Sequence, residues 1–145
     1  MLVEALAGII FGVLTIVAAR FIKGERWLYT LALITLPGIY IGFSLATGDS
    51  ETAWKETIYG EPYFLAGAIF FFFNIRFSAV VISLLWIFHG LYDVFHTSFF
   101  VNPSVPTWYP VSCAATDLIV GAYLFKLALQ LPKASIWGKS TSVST

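Results

Sequence analysis

His89, Asp93 and His96 stand at i, i+4 and i+7 in the run WIFHGLYDVFH, so on an α-helix they line one face. Cys113 and Asp117 stand four apart in PVSCAATD and repeat that spacing on the next segment. Together these five include both histidines and the only cysteine of the chain. Imidazole, carboxylate and thiolate are ligands for first-row transition metals, and nitrogen with sulfur favours copper or zinc. His89 and His96 would lie about 10 Å apart along the helix axis. The compact set is therefore Asp93, His96 and Asp117, with His89 hydrogen-bonded to one of the carboxylates and Cys113 completing the site. The same residues would also suit acid/base chemistry, since an Asp–His pair can take and return a proton. Haem is a third alternative: His89 and His96 on one helix cannot both ligate one haem, although each could serve a separate cofactor. Against all three stands the plainer possibility that these groups hold helices together by buried hydrogen bonds, with Cys113 as packing. Five polar groups at one depth favour a site over that possibility.

The elements that must position these residues are membrane spans. Of the 145 residues, 59% are hydrophobic, 18% aromatic and only 11% charged, where a soluble domain carries roughly 25% charged residues. The mean hydropathy is +0.84. The 8 basic and 8 acidic residues cancel, which leaves no electrostatic footprint for nucleic acid. A lone cysteine excludes an internal disulfide. The first apolar run begins at Leu2 with no basic region ahead of it and carries Glu4, so it reads as a retained span and not a cleavable signal peptide.

The pattern predicts an all-α membrane bundle of five spans: 2–21, 27–47, 62–75, 77–97 and 110–131. The first contains Gly8-x-x-x-Gly12 and the second Gly38-x-x-x-Gly42, spacings that let helices approach closely. Pro37 should kink the second, as a packing feature. The acidic stretch 48–61, with Trp54, Ile58 and Tyr59 among its charges, reads as a short interfacial helix ahead of a short third span. The run Phe70 to Phe73 covers all faces of a turn, so some rings face lipid. Asn74, Ile75 and Arg76 form a polar turn, and residues 98–109, with Pro103, Pro106, Trp108 and Tyr109, form a surface loop. Residues 1–133 make one domain, and 134–145 a loose tail.

Seven of the eight Lys and Arg fall on one side of such a bundle, with Lys55 alone opposite. The positive-inside rule then places the N-terminus outside and the C-terminus in the cytoplasm, as in the inner membrane of a prokaryote. His96 and Cys113 come near the outer surface, Asp93 and Asp117 about one turn deeper, and His89 about two turns deeper than His96. Glu4 starts at this outer level, and the acidic stretch closes the same mouth. Ionisable groups at such depth are costly and usually functional.

The stretch also resembles a family of small bacterial multi-span membrane proteins, a domain of unknown function. Its pattern reads His-x-x-Trp-Asp-x-x-His-His, then Asn-Pro, then Cys-x-x-x-Asp. His89, Asp93, His96, Asn102, Pro103, Cys113 and Asp117 take the matching positions. Tyr92 stands for Trp, and Thr97 stands for the second His. The likeness covers the last half of the chain. It implies a multi-span membrane fold and no known activity.

The expectation from sequence is thus a small integral membrane protein with a copper or zinc site in the outer leaflet, formed by the helices that carry His89 and Asp117. One alternative is a non-catalytic accessory subunit that stabilises a larger membrane complex. Another is an acid/base enzyme acting on a lipid-soluble substrate. The partners expected are the bilayer and either further copies of the chain or the subunits of a larger complex.

Overall fold

The computed structural model describes residues 1–72 and 78–130. It is all α: α1 Leu2–Phe21, α2 Glu25–Ala46, α3 Ser50–Phe72, α4 Ser78–Phe99 and α5 Tyr109–Gln130. Four of these, α1, α2, α4 and α5, contain stretches long and apolar enough to cross a membrane. The turn expected at Asn74 to Arg76, the ring of Phe73, the Pro132–Lys133 end and the tail lie outside the described residues.

The acidic stretch departs from expectation. No short interfacial helix precedes a separate third span; α3 is one helix that runs through Pro62. Its charged N-terminal half, with Glu51, Lys55, Glu56 and Glu61, is what keeps it from qualifying as an apolar span. Trp54, Ile58 and Tyr59 are exposed, while Thr52, Ala53, Glu56, Gly60 and Gly67 form the buried stripe. That stripe repeats at intervals of three and four, the spacing of one helical face. The stripe meets α2, where Pro37 seats on Gly60 so closely that a side chain at Gly60 would collide with the proline ring.

Small residues set the other contacts too. Gly8 and Gly12 of α1 abut Ser112, Thr116 and Ile119 of α5, and a Cβ at Gly8 would run into the Ser112 carbonyl. Two hydrogen bonds cross the same seam, from Ser112 Oγ to the Glu4 carbonyl and from Thr116 Oγ1 to the Gly8 carbonyl, both 2.9 Å. The first glycine pair is therefore a packing face, as expected. The second is not: Gly38 and Gly42 have nothing within 4 Å of a modest side chain.

These contacts also give the helix directions. α1 runs parallel to α5, since Gly8 meets Ser112 and Gly12 meets Thr116. Gly90 meets Asp117 and Gly121 meets Ile87, so α4 is antiparallel to α5. Trp86 Nε1 donates to the Tyr29 carbonyl and Tyr40 to Asp93, so α2 parallels α4. Tyr63 lies on His89 and Glu56 on His96, so α3 opposes α4. All five helices thus run between the same two ends of the bundle.

The two ends differ. One is an apolar core of Ala19, Tyr29, Leu33, Ile82, Trp86, Val120 and Leu124. The other buries Tyr40, Ser44, Glu56, His89, Asp93, His96, Asn102 and Asp117. Large apolar side chains meanwhile cover the outside: Ile10, Phe11, Leu14 and Val17 of α1, and Phe88, Val94 and Phe95 of α4, are each more than half exposed. Polar inside and apolar outside is the reverse of a water-soluble fold, and apolar surface on this scale needs lipid or protein cover.

Candidate functional site

Every buried ionisable group of the polar end sits where helical periodicity points it inward. On α4 the buried positions Trp86, His89, Asp93 and His96 follow at three and four residues, and on α5 Cys113, Asp117 and Val120 do the same. Gly90 lets the two helices close: a Cβ there would meet Asp117 Cβ at 3.1 Å. His89 and Asp117, facing each other across that gap, are 1% and 0% exposed.

His89 is the centre of the first cluster. Its Nδ1 donates to Asp117 Oδ2 at 2.7 Å, and Asp93 Oδ2 lies 3.6 Å from the same nitrogen. Tyr63 presses on the imidazole, ring centroids 4.9 Å apart in an edge-on arrangement. Asp93 Oδ1 accepts a 2.8 Å hydrogen bond from the Tyr40 hydroxyl. The thiol of Cys113, also buried, points toward the Tyr109 hydroxyl at 3.7 Å. One donor atom from each of His89, Asp93, Cys113 and Asp117 falls within 4.8 Å of all the others. Two carboxylate oxygens here, Asp93 Oδ2 and Asp117 Oδ1, are buried with no hydrogen-bond partner.

Glu56 is the centre of the second. Its Oε1 accepts from His96 Nε2 at 2.9 Å and from Asn102 Nδ2 at 2.6 Å, and its Oε2 accepts from the Tyr92 hydroxyl at 3.2 Å. Asn102 also donates to Ser44 Oγ, and its own carbonyl oxygen accepts from the Ser104 N–H, which fixes the turn before Pro103. A contact between Thr47 and Ser104 ties this loop to the end of α2. Tyr40 stands between the clusters, bonded to Asp93 and stacked on His96 with centroids 4.6 Å apart.

The arrangement reverses the roles expected for the two histidines. His89, and not His96, joins Asp93, Cys113 and Asp117. His96 is taken up by Glu56, a residue that the sequence reading left in a surface segment. The cause is lateral: α3 lines α4 at both levels, with Tyr63 on His89 and Glu56 on His96, but only His89 is also within reach of Asp117 on α5, so residues on one face of α4 find different partners. Glu4 stays out of both clusters, its side chain paired with the amino group of Met1. The signal that could have found Glu56 is its place in the Ala53, Glu56, Gly60, Gly67 stripe of small residues. For Tyr40 it is the stripe Leu33, Pro37, Tyr40, Ser44, which is likewise buried.

No protein-family profile, curated protein or solved structure matches the chain, so the likeness of its His, Asn-Pro and Cys pattern to a family brings no assigned activity with it.

Proposed function

We propose that this is an integral membrane protein whose His89, Asp93, Cys113 and Asp117 bind one transition-metal ion, copper or zinc. The observation that carries the reading is the pair of buried carboxylate oxygens without partners, within a set of four donors no more than 4.8 Å apart. Buried polar atoms in folded proteins are nearly always hydrogen-bonded, and two carboxylates close together in an apolar bundle, each with an oxygen that lacks a hydrogen bond, support a cation between them. A tetrahedral ion with bonds of about 2.0–2.3 Å holds its ligands about 3.3–3.8 Å apart, so the donors need close in by only about 1 Å. Nitrogen and sulfur among the donors favour copper or zinc over magnesium or calcium. A dication would also offset the repulsion between the two carboxylates.

The up-and-down course of all five helices supports five crossings, with Glu56 of α3 buried against its neighbours and Glu51, Lys55 and Glu61 left exposed on its N-terminal half. The basic residues support an external polar end and a cytoplasmic C-terminus. A reporter fused after Lys139 then reads cytoplasmic and one inserted at Gly48 reads external; the opposite pair of readings would turn the site toward the cytoplasm.

The His89–Asp117 hydrogen bond of 2.7 Å favours a second reading, in which the pair acts as an acid/base dyad without an ion. Elemental analysis of the protein purified in detergent, followed by titration of the stripped protein with copper and zinc, separates the two. The metal reading expects one equivalent in the wild type, weakened in Asp117→Asn and lost in His89→Ala. No metal above background in the wild type, and no saturable uptake on titration, would overturn it.

A further inference from the structure

A cavity of about 700 Å³ adjoins the first cluster. Its walls are Ala7, Phe11 and Thr15 of α1, Ala32, Leu36 and Ile39 of α2, and Trp86 behind them, and almost all of its lining is apolar. At its polar end it reaches Ser112, Cys113 and Asp117. The connectivity explains why it exists. α1 and α2 are joined by the tight turn at Ile22–Gly24, but α1 is hydrogen-bonded to α5 and α2 packs on α3, so the two part company and leave a cleft between them. Phe11 is 60% and Ile39 40% exposed, so the rim lies on the outer surface of the bundle. In a membrane that surface faces lipid, and the opening is sideways into the bilayer.

We infer that this cleft binds a lipid-soluble molecule with a long apolar body and a hydrogen-bond-donating end, such as a hydroxyl, which enters laterally between α1 and α2 and donates to Asp117. Three features select that chemistry. The lining from Ala7 to Thr15 spans eight residues of helix, about 12 Å, and that from Leu28 to Ile39 about 16 Å, so the space is elongated along the bundle axis. Its volume falls within the range of sites for small molecules, roughly 300–1,000 Å³. Its one carboxylate, Asp117, is a wall residue that keeps an oxygen with no hydrogen-bond partner and is 0% exposed, so a head group reaches it by displacing neighbouring side chains; such an oxygen accepts a proton donor and repels a second anion. An anionic head is thereby disfavoured, and a pure hydrocarbon would leave that oxygen unpaired. The inference goes beyond the metal reading: the site shares Cys113 and Asp117 with it but requires no ion.

The test is photo-crosslinking in detergent micelles with a long-chain primary alcohol that carries a diazirine at its far end. The expected result is saturable labelling of peptides that contain Phe11, Ala32 or Trp86. An unlabelled alcohol of the same length should compete, and the alkane of that length should not. Filling the cleft with Ala32→Trp should lower this labelling about tenfold. Ile39→Trp, at the exposed rim and so less disruptive to folding, should do the same. Labelling that does not saturate, and is spread equally over Leu6, Leu14 and Val17 on the outer face of α1, would overturn the inference. Equal competition by the alkane would overturn the assignment of the polar end to Asp117. Metal content measured on the same samples keeps the readings apart: saturable labelling in a metal-free protein defeats the metal centre alone, and a metal-loaded protein with unspecific labelling defeats the cleft alone.

Discussion

Replacing each histidine in turn by alanine gives opposite outcomes. His96 Nε2 donates to Glu56 Oε1 at 2.9 Å, both side chains are about 2% exposed, and the imidazole stacks on Tyr40. His96→Ala removes a hydrogen bond to a carboxylate, worth about 1.5–3 kcal/mol, and a ring stack worth about 0.5–1.5 kcal/mol. Asn102 and Tyr92 remain on Glu56, so the carboxylate is weakened and not abandoned. The expected loss is about 2–4.5 kcal/mol of stability, and on the proposed reading metal uptake should be retained. On the proposed metal reading His89→Ala should instead remove one of four donors, together with the hydrogen bond that His89 makes to Asp117, and so abolish metal uptake. The measurement pairs unfolding in a mixed-detergent titration with metal stoichiometry on the same preparations. A folded His96→Ala protein that has lost its metal while His89→Ala keeps it would refute the division into two clusters.

Asp93→Asn and Asp117→Asn should each weaken metal binding, and the double substitution should cost less than the sum of the two because both act on one ion; strictly additive losses on titration would mean that they do not share it. Binding should release protons and weaken as pH falls, since the ligands must be deprotonated, and titrations at two pH values check this. Gly8→Val should separate α1 from α5, at a cost of about 1–3 kcal/mol for overpacking, read as faster proteolysis of the first helix; unchanged proteolysis would count against the seam at Ser112. The carboxyl of Asp49, outside the spans, is held below its usual 3.8 by the hydroxyl and backbone N–H of Thr52, so it stabilises the start of α3 at and above the ordinary carboxylate range. That contribution is lost only as pH falls below that range, through the depressed folded-state value; protection of the amides of residues 50–53, taken relative to the intrinsic exchange rate at each pH, should fall on acidification in the wild type and be low already at neutral pH in Asp49→Ala.

Much of the fold was legible because lipid imposes a simple rule. Uninterrupted apolar runs gave α1 without error, and α4 and α5 within two residues at each start, since a segment in hydrocarbon must satisfy its backbone internally. α3 was misread because Pro62 and four charges look like a boundary, whereas a proline past the first turn is tolerated when neighbouring helices support it. The candidate site was legible only in part. Spacing says that His89, Asp93 and His96 share a face of α4; it does not say which helix covers which turn of that face. That depends on how α2, α3 and α5 are arranged around α4, and on glycines such as Gly90 and Gly60 whose closeness to another chain segment exists only in three dimensions.

The two buried carboxylate clusters are chemically unequal, and the inequality favours the one around His89 as the candidate site. Glu56 accepts three hydrogen bonds from His96, Asn102 and Tyr92, contributed by α4 and the loop that follows it. That is a satisfied network: it joins α3 to α4 and to the Asn102 turn, and it leaves neither oxygen without a hydrogen bond. Asp93 and Asp117 accept one each, from Tyr40 and His89, and each keeps a buried oxygen without a hydrogen bond, that of Asp93 lying 3.6 Å from His89 Nδ1. A sequence that could supply three donors to Glu56 a turn away was not short of means to satisfy them. Tyr40 bears on both, holding Asp93 by its hydroxyl and His96 by its ring, so the finished cluster fixes the walls of the unfinished one. A rigid polar frame around two unpaired acceptors is the arrangement that pre-organised binding requires, and the cleft between α1 and α2 brings its open side to the bilayer.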